Sequence, residues 1–263
     1  MSELAGRFRA LHVPGTPLLL PNPWDAGSAL VLASLGFAAL ATTSSGFAAT
    51  LGRLDGTVSA DEAIAHGGQV AVAVPVPVSA DLENGFADDP DGVAQTVRRA
   101  AAAGLAGCSI EDWSGTQIYD PALAAERIAA AVSAAGGDIV ITARAENYLH
   151  DHADLADTIE RLQSFAAAGA DVLYAPGVVD AGELATLVRE VPRPVNVLAL
   201  ADAPGVAELA DLGVARISVG GAFAFAALDA LAVAGRELLE QGSYGFWTQA
   251  GSGRRQAGIA FGE

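Results

Sequence analysis

The chain has 263 residues, is 52% hydrophobic and carries a formal net charge of −17. That balance suits one large soluble domain and excludes the basic face that nucleic acid or an anionic membrane requires. All fourteen basic residues are arginine, so lysine-imine aldolases, pyridoxal-phosphate enzymes and P-loop proteins are excluded as well.

No apolar run approaches the roughly 20 residues that span a bilayer. The opening "MSELAGRFRALHVPG" lacks the apolar core of a signal peptide. Cys108 is the only cysteine, which leaves no internal disulfide and no cysteine-based zinc cluster. The expectation is a cytoplasmic protein.

Eight short apolar runs read as strands: 17–22, 38–43, 76–81, 107–112, 139–146, 172–177, 194–200 and 215–221. Ala-rich helical segments separate them. Ser59 to Glu62 has the form of a capping box, Asp120-Pro121 places proline at a first helical position, and Asp180 precedes another run. "AAAGLAG" and "AAAGADV" each close a helix with glycine before the next strand. Continuously apolar strands alternating with helices imply parallel strands buried on both faces. Eight such units predict an α/β fold of the (β/α)8 TIM-barrel type. An open doubly wound sheet is the rival, weakened by the lack of G-x-G-x-x-G after the first strand. The barrel is expected to span residues 1–242. The Gly-rich stretch 243–263 reads as a tail, either frayed or docked on a neighbouring subunit.

In a barrel of this type chemistry belongs at the C-terminal strand ends. There the sequence places Thr42 to Gly46, Asp81 with Glu83, Glu111 with Asp112, Arg144 with Glu146, Asn196, and Ser218 with Gly220 and Gly221. Asp81, Glu83 and Glu111 are hard oxygen donors without histidine or cysteine, a set suited to Mg2+ or Mn2+. Arg144 offers a fork for a carboxylate. The Ser44-Ser45-Gly46 turn offers backbone N–H groups for an oxyanion. Asn196 and Ser218 complete a predicted pocket for a 2-oxo or 2-hydroxy acid. Plainer roles compete at each position. Asp81 and Glu83 also suit a helix cap, Arg144 an ion pair with Glu146 or Glu111, and the serine turn an ordinary loop. Cys108 reads as a small buried hydrophobe. "HDH" at His150 to His152 invites a zinc reading but follows a strand rather than ending it, and surface loop histidines fit it better.

The segments "PNPWDAGSALVLASLGFAALATTSSG", "DLENGF", "SIED", "ITARAE", "PVNVLA" and "ISVGG" occur in an order that resembles the isocitrate lyase/phosphoenolpyruvate mutase superfamily, from about Leu18 to Leu231. The resemblance implies a barrel with a C-terminal helix exchanged between subunits, a dimer or tetramer, and Mg2+. The superfamily's D-x-D-x-G-[YF]-G falls on Asp81, Glu83, Gly85, Phe86 and Ala87, with Glu and Ala as departures. Its metal-associated glutamate falls on Glu111 and its substrate-binding arginine on Arg144. Its oxyanion turn falls on Ser45, Gly46 and Phe47, and its loop aspartate on Asp55. The K-[KR]-C-G-H loop of the isocitrate and methylisocitrate lyases is replaced by "WSGTQIYDPA". Tyr119 is the candidate substitute acid there.

The expected function is a Mg2+-dependent carbon–carbon lyase or decarboxylase. It would act on a small 2-oxo or 2-hydroxy di- or tricarboxylate through a metal-bound enolate. Phosphorus–carbon chemistry of the mutase or phosphonopyruvate hydrolase kind, and a non-catalytic 2-oxo acid binding protein, are the alternatives.

Overall fold

The computed structural model describes residues 2–262. All eight runs expected to be strands form strands, each shorter than its apolar run. In chain order the first half comprises α1 (Glu3–Ala10), β1 (Leu18–Leu20), α2 (Ala26–Ser34), β2 (Leu40–Ala41), α3 (Ser44–Thr50), α4 (Ala60–Ala73), β3 (Val78–Asp81), α5 (Pro90–Ala102), β4 (Gly107–Glu111) and α6 (Pro121–Ala135). The second half comprises β5 (Val140–Arg144), a 3-10 turn (Asn147–His150), α7 (Leu155–Ala167), β6 (Val172–Tyr174), α8 (Ala181–Glu190), β7 (Val195–Leu198), α9 (Val206–Asp211) and β8 (Arg216–Ser218). Helix α10 (Ala222–Arg236) runs on through a π turn (Glu237–Gln241), and α11 (Trp247–Phe261) follows.

The eight strands form one parallel sheet in the order β1-β8-β7-β6-β5-β4-β3-β2. Across the remaining seam the Ala41 N–H donates to the Pro21 carbonyl at 3.1 Å. The sheet is thus a nearly closed, TIM-like barrel rather than an open doubly wound sheet. The expected start signals hold. Ser59 and Glu62 form a reciprocal capping box, and Asp120 and Asp180 each cap a helix through the side chain. Gly104 and Gly169 follow their helices with φ of +87° and +101°, the left-handed conformation that ends a helix at little cost for glycine.

Strand residues alternate between two cores. Cys108, Ile110, Ile141, Leu173, Val195, Val197 and Ile217 point outward into the main core under the helices. Leu18, Leu20, Val140 and Val172 point inward and cluster with Phe8 of α1. Phe8 closes the lower end of the barrel. A Cβ at Gly107 would lie 2.6 Å from the Phe8 ring, so glycine there makes the room that the ring fills. Cys108 is fully buried, as expected.

Above this apolar floor the interior changes character. Barrel interiors are usually layered with branched aliphatic residues. Here the next positions inward are Ser79, Ser109, Thr142, Asn196 and Arg216. The neighbouring positions Glu111, Arg144, Tyr174, Asn196 and Arg216 pair in turn across β4 to β8. Glu111 ends its strand and Arg216 begins its own, so this polar row descends from the mouth towards the floor.

The Gly-rich stretch after Gly242 is a helix rather than a frayed tail. Helix α11 lies on α2 of its own chain, where Gln256 Nε2 donates to Ser34 Oγ at 3.0 Å.

Candidate active site at the barrel mouth

Strands β3, β4 and β5 end on Asp81, Glu111 and Arg144, so adjacent parallel strands deliver these side chains to one rim. One guanidinium then meets three carboxylates. Arg144 Nη1 lies 3.0 Å from Asp81 Oδ1, Nη2 3.2 Å from Glu111 Oε2, and Nε 2.7 Å from Glu146 Oε1. The cation between the crowded acids of this rim is therefore Arg144 itself. Its nitrogens are occupied, so the fork expected to be free for a substrate carboxylate is engaged within the protein. The three acids hold its pKa well above the ordinary value despite burial.

The acids remain in excess. Burial, then the charges of Asp81 and Asp55, push the Glu83 carboxyl up to about 7. Burial raises Glu111 well above the usual range against the pull of Arg144, and Glu146, Asp81 and Glu83 add to the rise. Glu83 also sits at φ +48° in a tight loop with Gly85 and Phe86, both of positive φ. The Asn84 side chain accepts from the Phe86 N–H at 2.9 Å and fixes that loop.

Two arginines that sequence reasoning missed hold these loops from behind. Arg127 of α6 is 1% exposed. It donates to the carbonyls of Glu111 at 3.1 Å and Ala87 at 2.9 Å, and also to that of Asn84. Arg161 of α7 pairs with Asp112 at 3.2 Å and with Asp157 at 2.8 Å. Asp112 in turn accepts from the Glu146 N–H at 2.8 Å, which places Glu146 against Arg144. Burial lifts Asp112 to about 6.

On the same rim, after the adjacent strand β2, the expected oxyanion turn is the start of α3. Thr43 caps it, and the Gly46 N–H donates to Thr43 Oγ1 at 3.3 Å. The Phe47 N–H donates to the Thr43 carbonyl at 3.0 Å. The Gly46 and Phe47 N–H groups are therefore used within the helix turn. The Ser44 N–H faces Asp81 Oδ2 at 3.4 Å, and Ser45 lines the cavity. Phe47 is turned away and stacks on His66 with ring centroids 3.9 Å apart.

Two cavities meet here. The inner one, of about 210 Å³, runs from Ser45, Asp55, Asp81 and Arg144 down to Ser79, Ser218 and Arg216. The outer one, of about 750 Å³, is walled by Asp55, Glu83, Glu111, Arg144, Glu146, Trp113 and His150. The barrel thus brings Asp55, Asp81, Glu83, Glu111, Arg144, Ser45 and Ser218 together around one space. Asn196 stands behind it, donating to Ser218 Oγ at 2.9 Å.

Tyr119 is not brought to either cavity. It is 5% exposed, and its hydroxyl donates to Asp88 at 2.5 Å and accepts from Asn84 Nδ2 at 3.1 Å. The Arg127 guanidinium covers its ring at 4.0 Å. These contacts hold the side chain in the core behind the site, while the Tyr119 N–H pairs with the Asp112 carbonyl at 2.8 Å. His150 stacks on Trp113 at 3.6 Å and walls the outer cavity. Among the described residues no group of three or more histidine, cysteine or acidic side chains is close enough to hold a metal unaided, which leaves the zinc reading of His150 and His152 without support.

The comparisons with known proteins agree with this geometry. The family described as phosphoenolpyruvate phosphomutase matches residues 8–239. An uncharacterised protein of Mycobacterium tuberculosis is 39% identical over 239 residues, covering 88% of each chain. A solved structure from Burkholderia cenocepacia, described as a "putative lyase/mutase", is 50% identical with a TM-score of 0.92, covering 96% of this chain and 94% of that one. A 2,3-dimethylmalate lyase structure is 29% identical with a TM-score of 0.84, covering 93% of this chain and 90% of that one. A barrel with acids and one arginine at its mouth, matched along nearly its whole length, leaves one assignment: the chain belongs to the phosphoenolpyruvate mutase/isocitrate lyase superfamily of lyases and mutases.

Proposed function

We propose that the protein is a Mg2+-dependent lyase or decarboxylase acting on a small 2-oxo or 2-hydroxy acid. The observation that carries this reading is the surplus of carboxylates at the mouth. Glu83 and Glu111 are forced towards their protonated forms by burial and by each other's neighbours, a repulsion that a hard divalent cation relieves. Asp81 would hold the ion directly, and Glu83 and Glu111 would hold its waters. Mg2+ keeps several waters and needs only one or two carboxylates of its own. When bound, the ion supplies Lewis-acid polarisation of a 2-oxo carbonyl.

The chain's own residues do the remainder. Arg144 keeps Asp81, Glu111 and Glu146 in place. The Ser45 hydroxyl lines the cavity beside Asp81, and the inner cavity limits water around the reacting acid. The loop 113–118 presents neither cysteine nor lysine. Carbon–carbon cleavage that leaves protonation to water asks least of such a loop. Decarboxylation of a 2-oxo acid is therefore favoured over isocitrate cleavage. Two structural neighbours are named for related substrates, 2,3-dimethylmalate and oxaloacetate.

Turnover of oxaloacetate, methylisocitrate and phosphonopyruvate, each in Mg2+ and in EDTA, tests the reading. Consumption of oxaloacetate only with Mg2+ is expected. Equal rates in EDTA would sink it. Turnover of phosphonopyruvate alone would replace it with phosphorus–carbon chemistry, and tight binding without turnover with a binding protein.

We also propose a homo-oligomer. Phe225, Leu231 and Leu239 of α10 and its extension, with Trp247 and Phe261 of α11, are exposed, a larger apolar face than a monomer commonly shows. Exchange of the C-terminal helix between subunits belongs to the same proposal. Sedimentation at micromolar concentration is expected to show a dimer or tetramer, and a lone monomer would remove it.

A further inference from the structure

The floor of the inner cavity holds a cation with no counter-charge. Arg216 is 4% exposed. The other buried arginines all have strong acceptors: Arg144 has three carboxylates, Arg161 has two, and Arg127 has backbone carbonyls. Arg216 has neutral partners only. Nε donates to Asn196 Oδ1 at 2.8 Å, and Nη1 donates to Thr142 Oγ1 at 3.1 Å and to His12 Nε2 at 3.2 Å. His12 Nδ1 lies 2.9 Å from the Phe8 carbonyl, to which it donates, and this makes Nε2 the acceptor. Burial and the neighbouring Arg216 push His12 down to about 3, so the ring is neutral. Burial lowers Arg216 to about 10, which leaves it charged at neutral pH. Nη2 makes no hydrogen bond among the described residues.

This is an unusual arrangement in a chain with 31 acids to 14 arginines. Burying a charge without a partner is costly, and proteins ordinarily pair or neutralise it. The missing partner has a place to come from, because Arg216 lines the same cavity as Asp81 and Arg144. Arg144 is over-neutralised by acids, so the field attracting an anion into the barrel arises at Arg216. The cavity is about 210 Å³, room for a short acid that reaches from the mouth to the floor and not for a nucleotide.

We propose that Arg216 binds the acidic second arm, carboxylate or phosphonate, of a small 2-oxo or 2-hydroxy acid whose first carboxylate stays at the mouth. This deepens the proposed function by naming the residue that reads the second acidic group, and it rests on that reading for the orientation of the ligand. Arg216 is thereby a specificity-determining residue. Ser218 and Ser79 line the path to it, and Asn196 and Thr142 hold its guanidinium in position.

Calorimetric binding of lactate, malate and the phosphonate analogue of malate to the full chain with Mg2+ tests this. Lactate and malate differ only in the second carboxylate. The wild type is expected to prefer malate to lactate by about tenfold or more, the range for hydrogen bonds to a charged group. Arg216→Met is expected to abolish the preference while leaving lactate affinity unchanged, and Arg216→Lys to keep part of it. Asn196→Asp retains shape but supplies an internal counter-charge, and it is expected to abolish the preference in a protein that melts no lower than wild type. It carries the test where Arg216→Met does not fold. The phosphonate arm identifies which acidic group Arg216 prefers. No preference in the wild type, a preference that survives Asn196→Asp, or equal loss of lactate and malate would overturn the proposal. Turnover is not read here, so a selective protein that fails to cleave its ligand would refute the catalytic reading and leave this one standing.

Discussion

Arg144→Met is expected to destabilise the fold by about 3–5 kcal/mol at pH 7.5, the range for removing one partner from a buried ion pair. The side chain it replaces contacts Asp81, Glu111 and Glu146 within 3.2 Å, and methionine fills much of the volume while contributing no charge. Glu111, raised by burial, loses the charge of Arg144 that pulls it down, so in the folded variant it is held further above its unfolded value. As pH rises above about 4.5, the ordinary glutamate value, the unfolded chain releases a proton that the folded variant retains. Stability therefore falls with rising pH across that window. Denaturant melts at pH 5 and pH 7.5 check this. The deficit should shrink markedly at pH 5, and a deficit below about 1 kcal/mol, typical of a surface pair, would remove Arg144 from the centre of the site.

The second large effect is a thermal shift by Mg2+ that depends on pH. Burial raises Glu83 to about 7 and holds Glu111 well above the usual glutamate range. The sign follows from the raised values. Between the unfolded value near 4.5 and about 7 the folded protein holds protons that the unfolded chain has lost, so this contribution to stability is present at low pH and lost as pH rises. A divalent cation needs the ionised forms and so competes with those protons. At about 100 times its dissociation constant a ligand adds about 2.7 kcal/mol. In a domain of this size that raises Tm by about 5–10 °C. The rise is expected at pH 8 and should nearly vanish at pH 5. Asp81→Asn should lose it at both. A shift independent of pH, or one that survives Asp81→Asn, would refute the carboxylate site.

The barrel and its acidic rim were legible in the sequence because both follow from simple rules. Parallel strands buried on two faces leave continuous apolar runs, and the polar residues that end those runs collect at one mouth. Asp81, Glu111 and Arg144 needed no more than that. The orientation of side chains was not legible. Tyr119 lies in the right loop but points away, since Asp88 and Asn84, distant in sequence, take its hydroxyl. Gly46 and Phe47 read as an open turn, yet Thr43 caps a helix there and takes both of their N–H groups, one on its side chain and one on its carbonyl. Arg127 and Arg216 come from a helix interior and a strand start, where no motif marks a functional charge. Helix α11 was hidden by Gly251, Gly253 and Gly258. Each costs a helix about 1 kcal/mol relative to alanine, and packing against α2 outweighs them.

The Phe8 ring seated against Gly107 has a consequence for how the site handles solvent. It makes the inner cavity a blind well, with a rim of acids above and no exit below. Water enters and leaves by the rim alone. A ligand arriving there both displaces water and stoppers what remains, so the permittivity around Arg216 and Arg144 drops at the moment of binding and every charge in the well is felt more strongly. The first helix of the chain, remote from any reacting atom, is in this sense the insulation at the base of the site.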